Sequence, residues 1–362
     1  MDFCCPSTEI HQRRREGRDR DGIGACHDDP VAHRKRRIAP AWAALAAITI
    51  VIAGGCSTTA APGRRLPVLD TARIAYDGDV GDPSLLKVGT GGQTQYYLYG
   101  TDDWPSHIPT ATSTDLTTWR EGPDALPVLP AWANPDLKNS LTWAPTALPL
   151  GGGYLLYVTV QELSSRRQCI AVTASAVAAG PFRDAIGKPL VCQVALGGSI
   201  DPSVAREPSG ALHLTWKSDG NCCGLPTSLW EQDLSDDGLA LVGSAHKLLT
   251  ARQPWQGGIV ENPALLPATG GGWWLFYSGN QFDLAAYGTG LAYCPTLRGP
   301  CRETSTHPFL TGSHSQFSPG GLDFFEAAGG QVWAAFATWS RPPRNGRFYC
   351  CRPVSAARVL EH

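Results

Sequence analysis

Between Gly81 and Trp119 short apolar runs alternate with turn residues. Asp82-Pro83-Ser84 leads into Leu85-Leu86, then a glycine-rich turn (Gly89, Gly91, Gly92). The run Tyr96-Tyr97-Leu98-Tyr99 ends in Gly100, and a third piece closes on Ser113-Thr114-Asp115-Leu116 and Trp119. Short β-prone runs bounded by Gly, Pro and Asp predict antiparallel strands joined by tight turns. The same grammar recurs in WAPTALPLGGGYLLYVT from Trp143, SIDPSVAREPSGALHLTWKS from Ser199, VENPALLPATGGGWWLFYSG from Val260 and SPGGLDFFEAAGGQVWAAFATW from Ser318. Corresponding starts fall at 82, 146, 201, 261 and about 320, at intervals of 64, 55, 60 and about 59 residues. Units of several strands at this spacing predict propeller blades. Radial repetition leaves each sheet only short, protected edges. The expected fold class is all-β, a five-bladed β-propeller over residues 71–362. A β-sandwich or a β-helix is the competing architecture.

Composition agrees with a turn-rich β protein. The 362 residues include 40 Gly, 29 Pro and 12 Trp, and no long heptad or strongly amphipathic helical stretch is present. Residues 1–55 carry nine Lys and Arg against seven Asp and Glu, which leaves 21 against 25 and a net charge of −4 for the rest. Nucleic-acid binding, which needs a basic footprint, is disfavoured.

The first 55 residues read as an extension with a targeting segment. Arg34-Lys35-Arg36-Arg37 precedes an apolar run, Ile38 to Gly55, and Ala53-Gly54-Gly55-Cys56 is similar to a bacterial lipobox. The expectation is export, with lipid on Cys56 tethering the protein to a membrane or the cell surface. Anchoring by the uncleaved apolar run and plain secretion are the alternatives. Residues 1–30 are polar and carry three cysteines, unusual ahead of a signal peptide, and Val31 is an alternative start. Residues 56–70 read as a linker.

Eight cysteines follow Cys56, an even count that favours disulfides in an exported protein. Spacing suggests Cys169–Cys192 and Cys294–Cys301. The adjacent pairs Cys222-Cys223 and Cys350-Cys351 allow either two vicinal disulfides or cross-links between the pairs. No C-x-x-C or nearby histidine spacing supports a zinc site. A vicinal disulfide at Cys222-Cys223 would stiffen a pocket rim or merely hold a turn.

In a propeller the innermost strand of each blade lines the central funnel, so residues at its start converge. Three units place an acid there: Asp82 in GDPS, Asp201 in IDPS and Glu261 in VENP. Glycoside hydrolysis needs one acid for the leaving oxygen and one base for water. A third carboxylate can raise the acid's pKa by like-charge repulsion. Alone, each Asp-Pro would read as a turn dipeptide; their shared repeat phase points to chemistry. Trp104, Trp143, Trp255 and Phe317 lie in expected loops near strand starts and are candidate sugar platforms. Trp216, Trp273, Trp274, Trp333 and Trp339 fall within strands and read as core between blades.

Together these phrases resemble family 43 of the glycoside hydrolases, the inverting five-bladed propeller enzymes of arabinan and xylan breakdown. The resemblance runs from Asp82 to about Tyr349. It implies Asp82 as general base, Asp201 as the residue tuning and positioning the acid, and Glu261 as general acid. Ser113-Thr114-Asp115-Leu116 with Trp119 resembles a phrase common to this propeller clan. Trp143-Ala144-Pro145 resembles the family's WAPD, with Thr146 where Asp is usual. Trp143, Thr146 and Phe317 are then substrate-binding candidates, and Arg347 in NGRFY resembles a late arginine that reaches the sugar. His314 in GSHSQFSPGG is similar to a histidine near a structural calcium, or is a polar loop residue. No cofactor is required.

The implied activity is inverting hydrolysis of arabinose- or xylose-containing oligo- or polysaccharides by a monomer. A non-catalytic glycan-binding propeller lipoprotein is the alternative. Retaining sucrose- and fructan-cleaving relatives use N-D-P-N-type and Glu-Cys phrases, unlike GDPS and VENP. No G-x-S-x-G, P-loop or H-E-x-x-H phrase supports other chemistries.

Overall fold

A computed structural model describes residues 65–341 and 352–360, apart from Trp104, residues 136–140 and residues 313–315. The stretch read as a targeting segment and Cys56, and also His314, Arg347, Cys350 and Cys351, lie outside the described residues. Among the described residues no helix is long and apolar enough to cross a membrane.

The chain forms a five-bladed β-propeller of five four-stranded antiparallel sheets. Blade 1 holds β2 (Ser84–Val88), β3 (Gln95–Tyr99), β4 (Thr110–Ser113) and β5 (Trp119–Glu121). Blade 2 holds β6 (Trp143–Leu150), β7 (Gly153–Gln161), β8 (Gln168–Ser175) and β9 (Arg183–Asp184). Blade 3 holds β10 (Ser199–Arg206), β11 (Leu212–Ser218), β12 (Ser228–Leu234) and β13 (Leu241–Thr250). Blade 4 holds β14 (Val260–Pro267), β15 (Trp273–Gly279), β16 (Gly288–Cys294) and β17 (Arg302–Glu303). Blade 5 combines β18 (Phe317–Glu326), β19 (Val332–Trp339) and β20 (Val354–Leu360) with β1 (Val68–Tyr76) as its outermost strand. Strand β1 begins three residues inside the stretch read as linker and pairs with β20 from Val68↔Leu360 to Tyr76↔Val354. The two ends of the described chain thus close the ring within one sheet. The inner strands β2, β6, β10, β14 and β18 contact one another in cyclic order around the axis.

Blades are joined by apolar packing. Five buried clusters occupy the five interfaces between neighbouring blades. Successive strand residues face opposite sides of a sheet. Trp273 therefore packs into the cluster between blades 3 and 4, while Trp274 packs between blades 4 and 5. Trp216 is buried between blades 2 and 3, and Trp333 packs between blades 5 and 1. A fully buried Leu or Phe contributes about 1.5–3 kcal/mol, so these interfaces rather than the hydrogen-bond ladders hold blade to blade. Cys169–Cys192, Cys294–Cys301 and the vicinal Cys222–Cys223 are disulfides.

The start of every inner strand is built alike. Asp82, Ala144, Asp201, Asn262 and Ser318 have φ between 47° and 56°, and each precedes a proline. Register shifts follow at this point in blades 2 to 5. Positive φ is costly for residues with a Cβ, least so for Asn and Asp. A bulge redirects the side chains around it. The repeat phase of Asp82 and Asp201 is therefore held by Ala144, Asn262 and Ser318. Thr146 and Gly320 lie two residues later, and Glu261 lies one residue earlier, at the position shared by Trp143 and Phe317. The difference arises because the bulge inserts a residue that a pattern of apolar runs does not reveal.

Deleting β1 would leave the β20 edge unpaired and uncover part of two interfaces. A chain beginning at Asp77 should melt at least about 10 °C below one beginning at Ser57, taking roughly 2 °C per kcal/mol and a loss of about 5 kcal/mol. Equal midpoints in calorimetry would refute this closure.

Candidate active site

The five strand starts surround an axial cavity of ≈ 30 Å³, whose lining includes Asp82, Asp201, Asn262 and Asp323. That volume holds one or two waters and no sugar. Asp82 and Asp201 face it from blades 1 and 3, and Glu261 precedes Asn262 on blade 4.

Asn262 ties the three acids together. Its side-chain amide donates to Asp82 Oδ1 at 3.0 Å, and its backbone N–H donates to Asp201 Oδ2 at 2.9 Å. The Tyr287 hydroxyl donates to Glu261 Oε1 at 2.9 Å and lies 3.2 Å from Asn262 Oδ1. The second oxygen of Asp82 accepts from Thr101 Oγ1 at 2.6 Å, and the same hydroxyl accepts from the Ala144 N–H at 3.0 Å. Both Asp82 oxygens are thereby fixed from blades 1 and 4.

Lys217 supplies the positive charge. Its side chain is 1% exposed, and Nζ lies 2.8 Å from Glu261 Oε2 and 3.9 Å from Asp219 Oδ1. Burial alone would lower its pKa. The carboxylates of Glu261, Asp201 and Asp219 outweigh burial and hold the ammonium above its usual value. Burial pushes Asp201 well above the carboxylate range; Lys217 pulls it down, and Glu261 and Asp82 push it further up. Burial also raises Asp82, against the Thr101 hydrogen bond and with the Glu261 charge. Asp219 is pushed up to about 6, chiefly by burial, with Lys217 opposing. Three carboxylates, Glu261, Asp201 and Asp219, thus face one lysine, while the nearby cation that pulls Asp82 down is Arg352.

Two glycines make room for this arrangement. A Cβ on Gly320 would lie 2.1 Å from the Tyr287 ring, and one on Gly321 (φ 62°) would lie 2.9 Å from Asp82 Oδ1. The GlyGly of blade 5 is where the backbone approaches both functional groups.

The other sequence candidates are placed as follows. The Thr146 hydroxyl donates to the Pro202 carbonyl at 2.7 Å, bridging blades 2 and 3. Trp143 and Phe317 begin β6 and β18 at the register of Glu261. Trp255 stacks on Tyr277, with centroids 6.1 Å apart, and packs against the blade 3–blade 4 cluster. Trp104 lies outside the described residues, as do His314 and Arg347. Asp115 accepts the Thr117 and Thr118 N–H groups at 2.7 Å each, so the Ser-x-Asp-Leu phrase is a turn-forming device. Cys222–Cys223 sits in the 3-10 turn Gly220–Cys223 just after Asp219, where Arg167 contacts both sulfurs.

Asn262, Lys217, Tyr287, Thr101 and Arg352 were not among the sequence candidates. Arg352 donates to Asp79 Oδ1 at 2.8 Å beside Gly81. Lys217 had one signal: a lysine within the otherwise uncharged LTWKS end of an expected core strand.

A family profile described as glycosyl hydrolases family 43 matches residues 75–359. No curated protein sequence matches. Among solved structures, a thermostable family-43 glycoside hydrolase is similar with a TM-score of 0.68 and 21% identity, covering 83% of this chain and 94% of that one. An endo-1,4-β-xylanase from Bacteroides thetaiotaomicron is similar at 0.61 and 21%, covering 80% and 98%. An endo-arabinase from the same organism is similar at 0.63 and 17%, covering 81% and 98%. At these identities the likeness is one of fold.

Two outcomes follow from the site's geometry. Gly321→Ala, forced against Asp82, should lower any turnover that depends on Asp82 by about 100-fold, because a misplacement of about 1 Å can cost that much; unchanged kcat would refute the close approach. Asp323, which lines the cavity, is pushed up to about 6 chiefly by burial, with Ser84 hydrogen bonding opposing. Its folded pKa exceeds the unfolded value, so the native state holds the extra proton and stability falls as pH rises from about 4 through 6. Relative to the parent, Asp323→Asn should therefore gain up to about 3 kcal/mol between pH 4 and pH 8. Denaturant melts giving the same difference at both pH values would refute this.

Proposed function

The chain belongs to glycosyl hydrolases family 43 and is a glycosidase, and on that footing we propose that it cleaves arabinose- or xylose-containing glycans with inversion of configuration. One observation carries the reading: Asn262 and Tyr287 link Asp82, Asp201 and Glu261 into a single hydrogen-bonded cluster on the propeller axis. The substrate class draws support from the similar xylan- and arabinan-cleaving folds.

In this proposal Asp82 is the general base. Its oxygens are oriented by Thr101 and Asn262, and its raised pKa makes it a stronger base than an exposed carboxylate. A water held against Asp82 attacks the anomeric carbon while the glycosidic C–O bond breaks. The water's proton passes to Asp82, and Glu261 delivers a proton to the departing oxygen. Inversion calls for a base–acid separation of about 6.5–9.5 Å, so that water fits beneath the sugar. The raised pKa values of Asp201 and Asp219 reflect their burial beside Glu261, and Lys217 with Tyr287 aims the Glu261 carboxyl. Trp143 and Phe317, at the register of Glu261, are the proposed apolar contacts for the sugar ring. Solvent carries the proton from Asp82 back to Glu261 after product leaves.

Export as a lipoprotein acylated on Cys56 belongs to the same proposal. The three disulfides are in keeping with an oxidising compartment. The protein would act as a tethered monomer on oligo- or polysaccharide outside the cytoplasm.

Residues 57–362 should release sugars from at least one of arabinan, arabinoxylan, arabinogalactan or aryl furanosides. Proton NMR of the first product should find the inverted anomer. Glu261→Gln should lower the rate on natural glycosides by more than about 100-fold, the usual worth of a general acid. A retained anomer would overturn the mechanism. Glycan binding without release by parent and variant alike would establish a lectin-like protein instead.

A further inference from the structure

A second cluster of ionisable groups lies in blade 3, away from the funnel. Strand β11 carries Lys217 at its catalytic end and His213 four residues earlier, about 13 Å along the strand. His213 pairs directly with Asp233 on β12, and Glu231, two residues along, faces the same side of the sheet. His213 and Asp233 line a cleft of ≈ 750 Å³ together with Glu207, Ser235 and Arg298.

One donor atom from each of His213, Glu231 and Asp233 falls within a common 4.8 Å. His213 Nδ1 lies 2.8 Å from Glu231 Oε1 and 3.1 Å from Asp233 Oδ1. Metal–ligand bonds of about 2.1 Å at right angles put neighbouring donors about 3 Å apart. With both carboxylates ionised, hydrogen bonding alone does not satisfy the group. Nδ1 carries at most one hydrogen, and two carboxylates face it. Asp233 Oδ1 has no donor, and neither does Oε2 of Glu231, whose side chain is 0% exposed. His213 Nε2 is likewise buried without a hydrogen bond. Such orphans are rare in folded proteins and call for an explanation, an ion among them.

The surroundings supply what a metal site needs beyond its ligands. Arg298 donates to Asp233 Oδ2, which leaves Oδ1 turned to the cluster. Glu207 Oε1 stands 3.7 Å from His213 Nε2 and can take that N–H once the ring is fixed. A ligating histidine characteristically donates its other ring N–H to a carboxylate.

We propose that His213 Nδ1, Glu231 and Asp233 bind one divalent first-row transition ion, with water completing its coordination. One imidazole and two carboxylates suit Mn²⁺ or Zn²⁺. The ion bridges β11 and β12 on the face turned to the Arg298 loop of blade 4, and its role is structural, because Lys217 and Glu261 lie at the far end of the strand.

The test uses the full chain after EDTA dialysis. Mn²⁺ is titrated and its free signal followed by electron paramagnetic resonance, with Zn²⁺ as competitor. The expected result is one Mn²⁺ per chain with a Kd below about 100 μM, displaced by Zn²⁺, and a higher melting midpoint when either ion is present. Glu231→Gln and Asp233→Asn should each weaken binding at least about 10-fold and abolish the midpoint shift. Asp233 is partly exposed, so its variant tests the site even if Glu231→Gln folds poorly. No binding, or equal binding in parent and Asp233→Asn, would overturn the proposal and leave the cluster a buried imidazole held between carboxylates.

Discussion

A residue with positive φ directly before a proline starts the inner strand of every blade, and the bulges that accompany it decide what reaches the axis. This backbone device is architectural first. It occurs at Ala144 and Ser318, which carry no ionisable group, as well as at Asp82, Asp201 and Asn262. Its cost is met by the apolar interfaces that lock each blade between two neighbours. The five equivalent positions carry different side chains: acids on blades 1 and 3, an amide on blade 4, small residues on blades 2 and 5. Gly320 and Gly321 show the consequence, since the backbone of blade 5 sits where side chains would collide with Tyr287 and Asp82.

The electrostatics depend on the same convergence. Several buried carboxylates cannot all ionise around a single ammonium, and Lys217 is fully enclosed among them. Burial and mutual repulsion raise Asp201, Asp82 and Asp219, while hydrogen bonds from Asn262 and Thr101 restrain the shift where they touch. The neutral Asn262 is well suited to its place. A carboxylate there would add another charge to the cluster, whereas the amide donates to Asp82 and its backbone N–H serves Asp201. Blade 3 carries ionisable groups at both ends of β11, and the strand itself separates the funnel from the His213 cluster.

Much of this was legible. The repeated apolar runs and glycine turns announced five blades because a propeller repeats one packing problem, and each blade must solve it with similar residues. The tryptophans of the second strands announced themselves as core, and Trp273 and Trp274 serve two different interfaces because adjacent strand residues face opposite ways. Asp82 and Asp201 were legible as a pair through their shared Asp-Pro-Ser. Glu261 was singled out for a partly mistaken reason. It precedes the repeat phase by one residue, and Asn262 holds that phase; Thr146 likewise gives way to Ala144. A bulge adds a residue without changing the hydrophobic pattern, so alignment by apolar runs is accurate only to a residue or two.

By itself the sequence determined the number of blades, the alternation that fills their interfaces, the two local disulfides and the acids placed at or beside the strand starts. These follow from short-range pattern, which the chain carries in full. The tertiary structure alone decided which strand closes the ring, with β1 from the first part of the domain completing the last blade. It alone decided that Asn262, Tyr287 and Lys217 join the acids, and that His213 meets Glu231 and Asp233. Those associations link residues up to 180 positions apart, and they depend on where bulged strands aim their side chains. That direction is set by packing against neighbours, which no local stretch of sequence contains.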